Sequence, residues 1–218
     1  MTKARDALVQ RLWRGQDPLR DYPARLYRPD RQGWGSTHHY LTEAIESLKP
    51  SIVVEIGVWK GNSTITMASA MKALDLDGVV IAVDTWLGAW DHWITDEWFE
   101  HLNLVNGYPA LYRTFATNVV EAGLQDYVLP LPLDSTNAAN VLRHFGVEPD
   151  IVHIDGGHDY NAVVSDLSEW WPMIRPGGIL IGDDYPYWDG VRTAFDDFFA
   201  ELGKTPLEFD PPKCRITK

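Results

Sequence analysis

The sequence predicts an α/β fold, a mostly parallel sheet with helices on both faces. Three observations carry this. Short apolar runs recur at 51–56, 79–83, 127–133, 150–154 and 178–182. Segments with helical spacing separate them, the pattern of βαβ units. The runs are near-continuously apolar rather than alternating, as expected of strands covered on both faces.

The elements follow in order. Residues 1–36 are rich in Arg, Pro and Gly and read as an irregular N-terminal arm. Thr37 to Lys49 has helical spacing, with Leu41, Ala44, Ile45 and Leu48 on one face and Pro50 as its stop. Ser51–Ile56 is the first strand. Gly57 to Gly61 is a tight loop, and Asn62 caps a helix to about Leu74. After a turn at Asp75–Gly78, Val79–Val83 forms the second strand and ends at Asp84. An aromatic segment runs from Thr85 to Leu111. A helix from Tyr112 to Ala122 leads to a third strand, Tyr127–Leu133, ending at Asp134. Asn137 to Phe145 is helical, Asp150–Ile154 is the fourth strand, and Tyr160–Trp171 is a helix stopped by Pro172. Gly178–Gly182 is the fifth strand, Val191–Leu202 a helix, and 207–209 with 214–217 a terminal hairpin. Strand order does not follow from these signals.

At 218 residues the chain fits one domain with a sizeable core. No apolar run reaches membrane-spanning length, and the N-terminus lacks the apolar core of a signal peptide. The single Cys214 excludes an internal disulfide framework and a cysteine metal cluster. A soluble cytoplasmic protein is the expectation. The net charge is −12 and Lys and Arg do not cluster, so no basic face exists to neutralise phosphates and nucleic acid is not an expected partner.

The strand ends carry the chemistry. In an open α/β sheet they face the ligand crevice. Ile151-Val-His-Ile-Asp155 and Gly178-Ile-Leu-Ile-Gly-Asp183-Asp184 bring Asp155, Asp183 and Asp184 there, with His158 beside them. Three hard oxygen donors suit Mg²⁺. Imidazole is the side-chain type that changes charge near neutral pH, which makes His158 the candidate base. Glu55-x-Gly57-x-x-x-Gly61 between strand and helix is a nucleotide-loop pattern. A dinucleotide fingerprint would place its first Gly where Glu55 stands, and a P-loop fails because Lys60 precedes Gly61. Asp84 is placed to accept ribose hydroxyls, and Asp134-Ser135 to bond an adenine amino group. His153-x-Asp155 also allows a facial iron triad, as in non-haem iron oxygenases. Those enzymes use all-β barrels, and that reading leaves the adenosine pocket unexplained. A cofactor-binding protein without turnover is a further alternative.

From about residue 50 to 200 the chain resembles class I S-adenosylmethionine-dependent methyltransferases. Glu55-Ile-Gly57-Val-Trp-Lys-Gly61-Asn-Ser63 is similar to that family's first motif. The resemblance implies a Rossmann-like sheet of seven strands, with residues 37–218 as the methyltransferase domain and 85–111 as an aromatic lid insertion. It implies cofactor contacts from Glu55, Gly57, Gly61, Ser63, Asp84, Asp134 and Ser135. Asp155, Asp183 and Asp184 resemble the metal ligands of Mg²⁺-dependent O-methyltransferases. Asp-Gly-Gly-His-Asp-Tyr is similar to the Asp-x-x-His segment of the macrocin O-methyltransferase and cephalosporin-hydroxylase-like group, where the His is the base. That group implies O-methylation of a small natural product, a sugar or vicinal diol. Catechol and phenolic enzymes place Lys where this chain has His158, so a phenolic acceptor is the alternative. Trp86, Trp90, Trp93, Tyr185, Tyr187 and Trp188 leave strand ends and are expected to form a substrate lid. The partner is then a small-molecule hydroxyl acceptor, with no membrane role and with homo-oligomerisation left open.

Overall fold

The computed structural model describes residues 1–204 and 207–218. Five parallel strands form most of one sheet: β1 (Ile52–Ile56), β2 (Val79–Val83), β3 (Val128–Leu131), β4 (Ile151–Ile154) and β5 (Ile179–Gly182). The hairpin β6 (Glu208–Asp210) and β7 (Lys213–Thr217) joins antiparallel beside β5. The order is β3-β2-β1-β4-β5-β7-β6. The seven expected strands are present. The order reverses between β1 and β4, the switch point at which such sheets bind ligands.

Nine α-helices surround it among the described residues: α1 (Lys3–Leu12), α2 (His39–Leu48), α3 (Asn62–Ala73), α4 (Trp90–Ile94), α5 (Asp96–Phe99), α6 (Leu111–Glu121), α7 (Ser135–His144), α8 (Tyr160–Trp170) and α9 (Asp189–Glu201). Because strand side chains alternate, each strand feeds two cores. Val54, Ile56, Val152, Ile154 and Leu180 pack under α1, α7, α8 and α9. Val53, Val80, Ala82, Ile151 and Ile181 pack under α2, α3 and α6.

Two local expectations change. Asn62 does not cap α3; Gly61 does, at φ +85°, a left-handed conformation that favours glycine. The arm is not wholly irregular, because Lys3–Leu12 is helical and Thr2 caps it by accepting the Arg5 amide. This helix closes the sheet's β3 edge. Arg5 is 1% exposed, and its Nε–H donates to the Val128 carbonyl at 2.7 Å. Trp13 Nε1–H donates to the Pro130 carbonyl at 3.2 Å. Both carbonyls lie on the side of β3 away from β2, as does the Pro130 nitrogen, which has no hydrogen to leave unpaired there. An open edge that would otherwise attract another strand is thereby covered.

Arg5 also forms a two-pronged pair with Asp17, both bonds at 2.7 Å. The Arg5 bond is the main cause that holds the Asp17 carboxyl below its ordinary range. Arg5→Met is expected to lower unfolding stability by about 1.5–3 kcal/mol, since it removes the charge-assisted bonds and leaves the half-buried Asp17 with the Leu19 amide. Asp17 has a depressed folded pKa, so the pair's contribution is present above the unfolded value of about 4 and is lost as pH falls through the folded value. Urea titrations from pH 7 to pH 3 should therefore show a shallower acid loss in Arg5→Met. An unchanged wild-type-like acid limb would contradict the assignment.

Candidate active site

At the strand carboxyl ends lies one pocket of about 480 Å³, reached by residues that follow β1, β2, β3, β4 and β5. That is within the range of small-molecule sites. Gly57 sits at its floor with φ +80°, and a Cβ there would fall 1.9 Å from the Asp155 carbonyl oxygen. Only glycine lets the loop after β1 cross the end of β4 this closely.

Asp84, at the end of β2, organises that loop. Its Oδ2 accepts the amides of Val58 and Trp59 at 2.8 and 2.9 Å, and its Oδ1 accepts the Trp86 amide at 2.7 Å. Burial pushes its carboxyl above the ordinary value against these three bonds. A carboxylate has about four acceptor positions, so one on Oδ1 remains for a ligand.

Glu55 departs from its expected place as a cofactor contact. It is fully buried and does not line the pocket. Its carboxylate accepts the hydroxyls of Ser63 and Thr64 and faces His153 Nδ1 at 3.0 Å. Ser63 lines the pocket, but its hydroxyl proton is committed to Glu55. The face that α3 offers a ligand is its first turn of backbone amides, with no side-chain cap. Asp134 lines the mouth and caps α7, accepting the Asn137 amide at 2.9 Å and Asn137 Nδ2 at 2.5 Å. Those bonds hold its carboxyl below the usual range. Ser135 lines the pocket and donates its hydroxyl to Asp166.

The three acids after β4 and β5 share the pocket, but their oxygens do not gather within 4.8 Å of one another. Asp184 adopts φ +56°, and the adjacent acids point different ways. Asp183 turns inward to the ammonium of Lys213, which is 0% exposed, and its Oδ1 accepts the Asp184 amide at 2.8 Å. Burial raises the Asp183 carboxyl, yet the Lys213 ammonium outweighs it and holds it below its ordinary value. Asp184 Oδ2 lies 3.2 Å from His158 Nε2, and the His158 ring stacks on Trp188 at 4.6 Å and 12°. Asp155 has no side-chain hydrogen-bond partner among the described residues. Burial first, then the Asp183 charge, hold its carboxyl well above the usual range.

Below the acids runs a buried polar chain. Lys213 Nζ has only protons to give, so His153 Nε2, at 3.1 Å, must accept. His153 Nδ1–H then donates to Glu55. His153 is thus a satisfied core histidine. Both its nitrogens are taken, which removes the facial iron triad. The grouping of Glu55, His153 and Asp155 within 4.8 Å fails as a metal cage for the same reason.

The aromatic lid is largely corrected. Trp86 is 2% exposed and packs against Phe115 and Tyr112, its Nε1–H on the Trp59 carbonyl; it is core. Trp90 is 71% exposed, and neither it nor Trp93 lines the pocket. Tyr185 donates to Asp196 at 2.5 Å and packs on Phe209 and Phe195, and Tyr187 is exposed. Trp188 stacks its ring on a site residue, His158. The pocket wall is built instead by Trp59, by His92, and by Gln32 and Trp34 of the arm. Gln32 accepts Trp59 Nε1–H at 2.8 Å, and Asp30 pairs with Lys60 at 2.6 Å, so the arm straps the loop after β1. His92 stacks on Trp59 at 4.4 Å, and burial lowers its pKa. No local sequence signal marks Gln32 or Trp34, because their contacts lie more than twenty residues away.

Comparison with known proteins follows the same outline. Residues 54–185 match the methyltransferase-domain family Methyltransf_24. Mycinamicin III 3''-O-methyltransferase of Micromonospora griseorubida is 30% identical over 158 residues, covering 67% of this chain and 60% of that protein. Protein y4gI of Sinorhizobium fredii is 29% identical over 143 residues, covering 64% of this chain and 14% of that protein. The chain therefore spans less than two thirds of the length of either relative. The apo structure of CalS11, a TDP-rhamnose 3'-O-methyltransferase of calicheamicin biosynthesis, superposes with a TM-score of 0.60 at 18% identity, covering 99% of this chain and 93% of that one. At that identity the likeness is one of fold. With a family match across the loop after β1, Asp84, Asp134 and all three acids, the chain belongs to the Methyltransf_24 methyltransferase domains and carries the class I S-adenosylmethionine-dependent methyltransferase fold.

Proposed function

We propose that the protein transfers a methyl group from S-adenosylmethionine to a hydroxyl of a small natural product, a sugar or other vicinal diol, with help from Mg²⁺. One observation carries the reading. A single pocket joins a glycine loop with its ribose-side acid to an acid cluster that contains a histidine. The named activities of the mycinamicin and rhamnose enzymes support the acceptor class.

The cofactor supplies a methyl group on a sulfonium, already activated for attack. The first-turn amides of α3 favour its carboxylate, because a helix N-terminus carries partial positive charge. The free acceptor position on Asp84 suits a ribose hydroxyl, and Asp134 with Ser135 borders the adenine end.

The acid cluster fits a hard divalent cation. Among the described residues Asp155 has no side-chain partner, Asp184 faces His158 rather than a lysine, and Asp183 is already neutralised by Lys213. Asp155 and Asp184 are the assigned ligands, with Asp183 completing the field from behind. Mg²⁺ bound there lowers the cost of developing charge on an acceptor oxygen. His158 is the assigned base. Its Nε2 faces Asp184 Oδ2 at 3.2 Å, close enough for the carboxylate charge to favour the protonated ring that forms when His158 takes the acceptor proton. Asp184 then stabilises the imidazolium, and Trp188 shields one ring face from water. Trp59, His92 and Trp34 offer ring faces to an acceptor. Residues 37–218 form the domain with 85–111 as its insertion, and the arm, residues 1–36, closes over the loop after β1.

Titration calorimetry should show S-adenosylmethionine binding to wild type and to Asp155→Ala, with Mg²⁺ stimulating turnover of vicinal-diol acceptors in wild type alone. Absence of cofactor binding under every condition would sink the methyltransferase reading. Turnover indifferent to metal would sink the Mg²⁺ assignment.

His158→Ala is expected to lower kcat by about 10²–10⁴-fold, the usual weight of a general base, with cofactor affinity nearly unchanged. A large drop in cofactor affinity, measured on the same preparation, would make the residue structural instead.

A further inference from the structure

Asp166 lies in α8, on the opposite face of the sheet from α3. It is 7% exposed yet lines the pocket. Its Oδ1 accepts the Ser135 hydroxyl, and the Ser135 oxygen in turn accepts Trp170 Nε1–H at 2.8 Å. Those two bonds set the direction of the Ser135 proton and the orientation of the carboxylate. The second oxygen, Oδ2, has no donor among the described residues and lies 3.2 Å from where a side chain on Gly156 would begin, at the pocket floor.

An acceptor that opens onto the pocket without a protein donor is free to take one from a ligand. Burial, opposed by the Ser135 bond and reinforced by the nearby Asp159 charge, pushes the Asp166 acid to about 6. At neutral pH the group is therefore ionised and can only accept. A persistent acceptor on a pocket wall calls for a ligand donor. The cofactor has three kinds: its ammonium, its ribose hydroxyls and its exocyclic amino group. The amino-acid part belongs at the first turn of α3, on the other face, and the ribose beside Asp84. The amino group is what remains for the end bounded by Asp134, Ser135 and α8.

We infer that Asp166 Oδ2 accepts the exocyclic N–H of the cofactor's adenine and makes the pocket selective for a 6-amino over a 6-oxo purine. This rests on the cofactor reading above. Asp166 is then a specificity-determining residue held in place by Ser135, and Trp170 backs the arrangement.

The test compares S-adenosylhomocysteine with S-inosylhomocysteine, which carries a carbonyl where adenine has its amino group. Wild type is expected to bind the adenosyl compound about ten- to a hundredfold more tightly, the range for a hydrogen bond to a charged group. In Asp166→Asn the amide oxygen keeps the Ser135 bond and the Nδ2 protons face the pocket. That variant should lose the preference or reverse it, while the melting temperature of the ligand-free protein holds or rises because a buried charge is gone. Wild type with no preference would overturn the inference. So would a variant that melts lower and binds both compounds equally less well, since that is the behaviour of a structural residue. If Asp166→Asn does not fold, the wild-type preference measured from pH 8 to pH 5 decides: it should shrink as Asp166 protonates near pH 6, and a preference unchanged with pH would overturn the inference. Failure of wild type to bind either compound would overturn the cofactor reading instead.

Discussion

A lysine buried beneath an acid cluster is the interaction on which the site depends. Lys213 comes from the last strand, β7, and its ammonium bonds Asp183 at the end of β5 and His153 in β4, which passes the contact to Glu55 in β1. Glu55 in turn holds the Ser63 and Thr64 hydroxyls at the start of α3. Four strands and the cofactor-side helix are thus joined by one continuous polar chain through an otherwise apolar layer. Removing one member strands a buried charge, at about 3–5 kcal/mol. The chain also assigns protons: it makes His153 a donor toward Glu55 and forbids it a metal. The terminal hairpin, which looks peripheral in sequence, is for this reason part of the site's foundation.

The sheet and most of its helices were legible because strand burial and helix periodicity are local signals. Val79–Val83 matches the apolar run residue for residue. The acids at the strand ends were legible for the same reason. What was not legible depends on long-range pairing. Arg5 reads as a surface residue until Asp17 and the open edge of β3 are beside it. Trp86 reads as a lid because it follows Asp84, but its backbone at φ +53° and its bond to the Trp59 carbonyl turn it into the core. Glu55 sits at the expected point of the motif, yet two hydroxyls in the first turn of α3 draw it inward. In each case a polar partner distant in sequence overrides the local reading.

The two ends of the pocket meet different electrostatic demands. The α3 end presents unpaired donors, and the β4–β5 end presents unpaired acceptors, so each is complete only with a ligand of opposite character. The arm ties these ends together. Asp30 holds Lys60 in the loop after β1, while Gly35 approaches Asp183, with a Cβ there only 3.4 Å from Asp183 Oδ1. A segment that reaches both the cofactor loop and the acid cluster gives the acceptor a wall, through Gln32 and Trp34, that neither end could supply.

This pocket keeps two acids with an oxygen that no donor among the described residues reaches, Asp155 and Asp166, both pushed above the ordinary carboxylate range chiefly by burial. A fold selected for stability alone would replace them with amides or apolar groups. Their retention makes sense if each is relieved by a different ligand, a cation at Asp155 and an amino group at Asp166, because whatever binds the folded state stabilises it in proportion to its affinity. On the proposed reading, cofactor and metal occupancy would both stabilise the same sheet edge. Lys213, already neutralising Asp183, keeps that edge folded before either arrives.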